Sequence, residues 1–174
     1  MVGDAGVGKT NILLRYMSNE YEKHSKATLG VEFSSKYLKM EDDSTVRAQL
    51  WDTAGDERHY APVANLYLKG AVGALLVYDI TSRASFENIQ AWLNRLLNDG
   101  REGIVVMLVG NKIDLSAERQ VTSAEGQQFA MENDLAFMEV SALAGKNIEL
   151  AFKTIITRKY FKTDINIEIH EEMV

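Results

Sequence analysis

The chain has no cysteine among its 174 residues. This absence excludes disulfides, thiolate metal sites, cysteine nucleophiles and thioether lipid anchors within the sequence. Proline occurs once, at Pro62, and no stretch is rich in proline, glycine or serine, so no interdomain linker is indicated. The longest apolar run, 71–78, is far shorter than the ~20 residues needed to cross a bilayer. We therefore expect a single soluble domain.

Positive charge is also scarce. The chain carries 19 Lys and Arg against 25 Asp and Glu, for a formal net charge of -6. No stretch gathers the basic footprint that nucleic acid or an anionic membrane requires, so neither is an expected partner. The N-terminus lacks the pattern of a secretory signal, and a cytoplasmic location is the expectation.

The order of apolar and amphipathic segments predicts an α/β fold. Runs 71–78 and 104–109 are apolar at successive positions, as in parallel strands covered on both faces, and 137–140 is a shorter third run. Helical patterns occupy 85–97 and 123–132, and a last helix runs from about Asn147 to Phe161. Segments 31–40 and 45–51 predict an antiparallel hairpin. The result is a mostly parallel sheet with helices on both faces.

A phosphate-binding loop is predicted at the start of the chain. The segment Gly3-Asp-Ala-Gly-Val-Gly-Lys-Thr10 fits G-x-x-x-x-G-K-[ST] and leads into a helical pattern over 11–17. In such a loop, backbone N–H groups form an anion nest, Lys9 supplies charge to the β- and γ-phosphates, and the Thr10 hydroxyl coordinates Mg²⁺. An ordinary Gly-rich turn also fits this pattern alone, so other motifs must decide.

Three further polar segments follow predicted strands. After the first, Asp52 can hold a Mg²⁺ water and Gly55 can meet the γ-phosphate. In Asn111-Lys-Ile-Asp114, the Asp114 carboxylate can accept two N–H donors from guanine at the carboxyl end of the sheet. Ser141-Ala-Leu143 can present a backbone N–H to the purine carbonyl oxygen. Each segment alone could be a polar turn, but their order of phosphate, magnesium, base and base makes coincidence implausible.

These motifs resemble, in order and spacing, those of small GTPases of the Ras superfamily, and within it Rab proteins. The resemblance covers nearly the whole chain and is carried by Leu29-Gly-Val-Glu-Phe33, Leu50-Trp-Asp-Thr-Ala-Gly55, Leu75-Leu-Val-Tyr-Asp-Ile-Thr81, Asn111-Lys-Ile-Asp114 and Ser141-Ala-Leu143. Segments 70–74 and 105–110 are most similar to the recycling-endosome subgroup.

The resemblance implies a Ras-like fold that binds GTP or GDP with Mg²⁺, hydrolyses GTP slowly and changes conformation in two segments. It also implies a monomeric switch in vesicle trafficking, whose partners are exchange factors, GTPase-activating proteins, a dissociation inhibitor and effectors. Thr28 would be the magnesium ligand of the first switch, and Tyr21 would lie against the guanine, where the family more often has Phe.

The expected magnesium ligands are therefore Thr10, Thr28 and Asp52. The expected nucleotide-binding residues are Ala5, Gly6, Val7, Gly8, Lys9, Thr10, Asn11, Tyr21, Thr28, Gly55, Asn111, Lys112, Asp114, Ser141, Ala142 and Leu143.

One departure from the family concerns catalysis. Asp56 stands where the family has a glutamine that orients the attacking water, and it completes an expected catalytic set with Lys9 and Thr28. A carboxylate cannot donate a hydrogen bond to the transferring phosphoryl group, and it adds negative charge beside it, so hydrolysis should be slow. The alternative is that Asp56 points to solvent and a partner supplies the missing function.

Two other departures lie at the ends of the chain. Only Met1 and Val2 precede the phosphate loop, where the family has a buried central strand, so neighbouring strands should expose unpaired backbone groups. This pattern suggests a truncated chain; replacement of the strand by the alternating segment 165–169 is less favoured. No prenylated cysteine follows, so attachment to endosomal or vesicle membranes would need a lipidated tail outside this chain. Segment 57–60 also departs from the family's second switch.

We therefore expect a GTPase domain over 1–163 and a C-terminal tail stub over 164–174. The leading hypothesis is a Rab-type switch with impaired hydrolysis. The alternative is a non-hydrolysing or non-binding relic that acts only as an interaction surface. An ATP-using P-loop kinase is disfavoured, because the segment 111–114 suits guanine and no basic lid is apparent.

Overall fold

The computed structural model describes residues 1–28, 30–40, 42–55 and 68–162, with the backbone alone for 158–162. Its helices are α1 (Lys9–Ser18), α2 (Arg83–Glu87), α3 (Ile89–Asp99), α4 (Ser123–Glu132) and α5 (Ile148–Lys162), with a 3-10 helix at Ile113–Glu118. Its strands are β1 (Val31–Lys39), β2 (Thr45–Thr53), β3 (Gly73–Asp79), β4 (Val105–Asn111) and β5 (Ala136–Glu139).

The predicted parallel sheet is confirmed. Strands β3, β4 and β5 pair in parallel in that order, with Leu76 opposite Leu108 and Leu108 opposite Phe137. All seven residues of β4 are buried, which explains why this strand is apolar at successive positions rather than alternating. The carboxyl ends of β3 and β4 coincide, with Asp79 opposite Asn111, so the loops that follow them emerge side by side.

Helices cover both faces of this sheet. Leu76 and Tyr78 point into a core with α3 and α4, where Trp92, Leu93 and Leu96 are buried. Leu75 and Val77 point the other way, into a core with α1 and α5. The tightest contact there is the stack of Tyr16 on Phe152, whose ring centroids are 3.9 Å apart. The three-layer arrangement expected from the sequence is therefore confirmed.

The predicted hairpin is also confirmed, as a separate two-stranded sheet. Strands β1 and β2 pair antiparallel, with Phe33 opposite Trp51. Val2 joins this hairpin region to β3: its N–H donates to the Leu75 carbonyl at 2.9 Å, and its carbonyl accepts from the Val77 N–H at 2.8 Å. The Thr53 hydroxyl donates to the Met1 carbonyl at 2.8 Å. The short segment before the phosphate loop thus lies between β2 and β3.

Two details differ from the sequence-based expectation. The helix predicted over 85–97 is divided at Asn88, which ends α2 and begins α3, although its apolar face enters the core as expected. The 3-10 helix at Ile113–Glu118 was not predicted, because its sequence has no helical periodicity. The alternating segment 165–169 lies outside the described residues. No helix in the described ranges is long and apolar enough to span a membrane.

Candidate nucleotide and magnesium site

The phosphate loop is closed by its own lysine. Helix α1 begins directly at Lys9, and the preceding Gly8 adopts a left-handed conformation with φ 95°. The Lys9 ammonium donates to the carbonyls of Gly3 at 2.7 Å and Asp4 at 2.9 Å. The loop therefore curls around the charged end of Lys9 at a helix N-terminus, the arrangement that suits an anion.

Lys9 is buried, with 6% of its surface exposed. Burial lowers the pKa of the Lys9 ammonium to about 8, although the negative charges of Asp52 and Asp4 oppose this shift. A buried ammonium of this kind is costly unless an anion or several acceptors compensate it. A phosphate group placed in the loop would supply that compensation.

Three oxygen side chains meet beside the loop, as predicted for a magnesium site. The Thr10 hydroxyl donates to Asp52 Oδ2 at 2.5 Å and lies 2.8 Å from the Thr28 hydroxyl. Asp52 is fully buried, and within the described residues its Oδ1 has no hydrogen-bond partner. Hydroxyl and carboxylate oxygens are ligands that Mg²⁺ prefers. A bound cation would also satisfy the buried Asp52 oxygen that otherwise has no hydrogen-bond partner. These residues fit Mg²⁺.

Gly55 brings the end of the β2 segment against the phosphate loop. A Cβ added at Gly55 would lie 2.2 Å from the Ala5 nitrogen and 2.5 Å from the Asp4 carbonyl oxygen, so no larger residue fits. This close approach places the segment after Asp52 at the rim of the phosphate loop. The role of Gly55 at the γ-phosphate stays a prediction.

The base-recognition motif is tied to the phosphate loop. Asn111 is buried and donates through Nδ2 to the Val7 carbonyl at 2.9 Å. Lys112 donates to the Gly6 carbonyl at 2.9 Å and forms an ion pair with Asp79 at 2.6 Å. The two motifs, about a hundred residues apart in sequence, are therefore held together as one wall of the site.

Asp114 is held by the third predicted loop. Its Oδ1 accepts a hydrogen bond from the Ser141 hydroxyl at 2.5 Å, and Ser141 is fully buried. The Ala142 N–H donates to Asn111 Oδ1 at 3.2 Å. The carboxylate predicted to read guanine is therefore fixed in direction by Ser141 rather than free to rotate.

These loops enclose a cavity of about 520 Å³. Fourteen of the sixteen predicted nucleotide-binding residues line it, namely Ala5, Gly6, Gly8, Lys9, Thr10, Asn11, Tyr21, Thr28, Gly55, Asn111, Lys112, Asp114, Ala142 and Leu143. The other two, Val7 and Ser141, do not line it, but they are hydrogen-bonded to Asn111 and Asp114, which do.

 Of these residues, Leu143 is 50% exposed and lies at the rim. The structure therefore brings together residues from four separate predicted motifs around one space.

Part of the cavity wall was not predicted from the sequence. Lys23, Ser25, Lys26 and Ala27, from the segment between α1 and β1, also line the cavity, as does Leu115. The sequence feature that could have indicated this wall is the pair Lys23 and Lys26, which lie between Tyr21 and Thr28. Cations near a phosphate loop suit a polyphosphate.

The Asn11 side chain binds the backbone of a neighbouring segment, which differs from the predicted role of a direct nucleotide ligand. Its Nδ2 donates to the Glu22 carbonyl at 3.0 Å, and its Oδ1 accepts from the Glu22 N–H at 2.8 Å. This two-way pairing uses both ends of the amide to hold the segment with Tyr21 and Lys23 at the cavity. Asp56, the predicted catalytic carboxylate, and the second-switch segment 57–60 lie outside the described residues.

Comparison with known proteins agrees with the geometry. The family model described as "Ras family" matches residues 1–160. The GTP-binding protein ypt3 of Schizosaccharomyces pombe is 48% identical over 157 residues, which cover 90% of this chain and 72% of that protein. The Ras-related protein Rab2BV of Beta vulgaris is 51% identical over 160 residues, covering 92% and 74%. The Ras-related protein RABA1b of Arabidopsis thaliana is 50% identical over 160 residues, covering 92% and 73%.

Proposed function

We propose that this chain, which belongs to the Ras family and within it to the Rab-type small GTPases, is a guanine-nucleotide switch whose GTP state is long-lived. Its family membership makes it a GTP-hydrolysing enzyme that works with Mg²⁺ in vesicle trafficking. The long-lived GTP state and the roles of individual residues are the proposed parts.

One observation carries the proposal. The phosphate loop with Thr10, the first-switch residue Thr28 and the base motif at 111–114 line the same cavity. Hydrogen bonds join Asp52 to Thr10 and the base motif to the phosphate loop. A buried ammonium, a group of magnesium-type oxygens and the Asp114 carboxylate match the phosphates, the metal and the base of one GTP molecule.

Each group has a separate task in this proposal. Lys9 and the backbone N–H groups of the loop hold the phosphates and balance their charge. Thr10, Thr28 and Asp52 hold Mg²⁺, which when bound neutralises charge on the phosphate oxygens. Asp114, fixed by Ser141, accepts the two purine N–H donors that guanine offers and adenine does not.

Slow hydrolysis is proposed from Asp56. An amide at this position can both accept a hydrogen bond from water and donate one to the transferring phosphoryl group, whereas a carboxylate only accepts. The carboxylate also adds charge where negative charge must be stabilised, so the chemical step should slow while nucleotide binding changes little.

The first experiment identifies the nucleotide. The protein is purified under mild conditions, its bound nucleotide is extracted, and the base and phosphate number are determined by chromatography. Guanine nucleotide at near one equivalent supports the switch. Adenine nucleotide would instead favour an ATP-using P-loop protein. Folded protein that binds no guanine nucleotide after incubation with GDP or GTP and Mg²⁺ would favour the relic that acts only as an interaction surface.

The second experiment measures single-turnover hydrolysis in Asp56→Gln. We expect a rate increase of roughly 10- to 100-fold, corresponding to about 1.4 to 3 kcal/mol of restored transition-state interaction. Asp56→Asn is the matched control, since it removes the same charge but has a shorter amide. An unchanged or lower rate in Asp56→Gln would show that Asp56 does not limit hydrolysis.

Finer assignments rest on resemblance alone. We propose an endosomal, recycling-type role because segments 70–74 and 105–110 are most similar to that subgroup. The exchange factors, GTPase-activating proteins, dissociation inhibitor and effectors expected of the family are proposed partners. Co-localisation of the tagged full-length protein with endosomal markers tests the location.

A further inference from the structure

We propose that Arg15 is a positioning residue for guanine recognition, which orients the base loop, Ser141-Ala-Leu143, from outside the cavity. This inference rests on the proposed function, because it concerns the same nucleotide site. It adds a residue that the motifs do not include: Arg15 belongs to the body of α1, and the cavity wall does not contain it.

The Arg15 guanidinium spans two consecutive carbonyls of the base loop. Its Nε donates to the Ala142 carbonyl and its Nη2 to the Leu143 carbonyl, each at 2.9 Å. Its Nη1 donates to the Asn19 carbonyl at 2.6 Å and to Asn19 Oδ1 at 3.1 Å. A planar guanidinium with fixed donor directions suits such a fork, whereas a lysine ammonium acts as a point charge.

These contacts fix the direction of one loop N–H. In a trans peptide the C=O and the N–H point in opposite directions, so a carbonyl bonded to Arg15 sends the next N–H away from Arg15. The Ala142 carbonyl shares its peptide unit with the Leu143 N–H. Because Ala142 and Leu143 line the cavity and Arg15 does not, the Leu143 N–H is directed toward the cavity side.

The neighbouring N–H groups of the loop already have partners. The Ala142 N–H donates to Asn111 Oδ1 at 3.2 Å, and the Ala144 N–H donates to the Ser141 hydroxyl at 2.9 Å. Among the described residues no protein acceptor is found for the Leu143 N–H, so this loop can direct it at the purine carbonyl oxygen. Arg15 sets its direction, while Ser141 separately holds Asp114, which reads the purine N–H groups.

Because Arg15 and Ser141 orient different groups of the site, nucleotide analogues can test the two effects separately. Wild-type protein and Arg15→Ala are compared for affinity toward GDP, 6-thio-GDP and IDP, in Mg²⁺, by displacement of a fluorescent GDP. In 6-thio-GDP a sulfur, a weak acceptor, replaces the carbonyl oxygen. IDP keeps that oxygen but lacks the amino group that Asp114 reads.

We expect Arg15→Ala to lower the ratio of GDP affinity to 6-thio-GDP affinity by about three- to tenfold. This is the change in affinity expected for the loss of about one hydrogen bond. The preference for GDP over IDP should stay within about twofold of wild type, because Asp114 keeps its bond to Ser141. Arg15→Lys should lower the same affinity ratio by a smaller factor. It is the variant used for the test if Arg15→Ala does not fold. An unchanged 6-thio preference in Arg15→Lys and Arg15→Ala would overturn the proposal.

Two control variants separate orientation from other effects. Arg47→Ala removes the same charge from the exposed hairpin, where Arg47 lies 5.9 Å from the Tyr37 ring, and should keep both preferences. Asn19→Gly preserves the left-handed backbone at φ 59° and removes only the side-chain acceptor at the end of α1. If Asn19→Gly narrows the 6-thio preference as much as Arg15→Ala, the effect comes from the helix end and the proposal is wrong. Failure of wild-type protein to bind GDP would instead refute the proposed function.

Discussion

Asp4→Ala should loosen the phosphate loop from helix α3. Asp4 is the second residue of the loop, and its carboxylate reaches across to that helix. Its Oδ1 accepts from the Trp92 indole N–H at 2.7 Å, and its Oδ2 accepts from Asn88 Nδ2 at 2.8 Å. Both donors lie more than eighty residues along the chain, so these bonds join the loop to a distant element.

The two bonds should contribute unequally. Trp92 is 5% exposed, so removing a charged acceptor from its indole N–H should cost about 1.5 to 2 kcal/mol. Asn88 is exposed, and water can replace its partner, so that bond should contribute about 0.5 kcal/mol or less. We therefore expect Asp4→Ala to lower the free energy of unfolding by about 2 kcal/mol. GDP dissociation should also accelerate, by about three- to tenfold if part of that loss appears in the loop.

The assay is urea unfolding followed by far-UV circular dichroism, at fixed GDP and Mg²⁺ so that ligand binding does not alter the comparison. Far-UV detection is needed because Trp92 fluorescence would itself change. Asp4→Asn is the control, since its amide oxygen can still accept from the indole, and it should recover most of the loss.

A double-mutant cycle tests the contact itself. Trp92→Phe removes the indole N–H, and the pair Asp4→Ala with Trp92→Phe should show a coupling energy of about 1 kcal/mol or more. If the losses in unfolding free energy of the two single variants simply add in the double variant, the reasoning is refuted, because the carboxylate and the indole then do not interact. A stable Asp4→Ala protein with normal GDP dissociation would refute the functional part.

Three further predictions follow from single contacts. Asp114→Asn should shift preference from GTP toward XTP, because an amide donor replaces one acceptor; retention of wild-type discrimination in a competition assay would contradict the base-reading role. Thr10→Asn should weaken Mg²⁺-dependent GTP binding more than GDP binding, and equal losses in titrations would contradict the metal role. Thr122→Ala removes the side chain that caps α4, where its Oγ1 accepts from the Glu125 N–H at 3.2 Å, and should destabilise the protein by about 1 kcal/mol in thermal or urea unfolding.

The same cap also predicts how the stability difference between wild type and Thr122→Ala depends on pH. Hydrogen bonds from the Thr122 hydroxyl and N–H lower the pKa of the Glu125 carboxyl to about 2, with Arg83 adding to the shift. A carboxyl whose pKa is depressed on folding stabilises the folded state above its ordinary pKa, and this contribution fades as pH falls toward the folded value. The difference between wild type and Thr122→Ala should therefore shrink between about pH 4.5 and pH 2.

The sequence by itself determined the chemistry of the site and the type of each element. The phosphate loop, the hydroxyl of Thr10, the carboxylates of Asp52 and Asp114 and the apolar strands are all local patterns. Such patterns can be read from sequence, because a loop's backbone shape and a strand's burial depend mainly on residues a few positions apart. The order of the motifs then placed them at the carboxyl ends of strands, where ligands bind in open α/β sheets.

Tertiary structure alone decided which groups hold these motifs in place. Arg15 contacts loop residues 127 and 128 positions away, Asp4 contacts Trp92 88 positions away, and Asn11 turns inward to hold Glu22. None of these side chains differs in sequence pattern from an ordinary helix or loop residue. Their roles depend on which elements pack side by side, and local periodicity carries no information about that choice, because packing is settled by burial and hydrogen bonding across the whole chain.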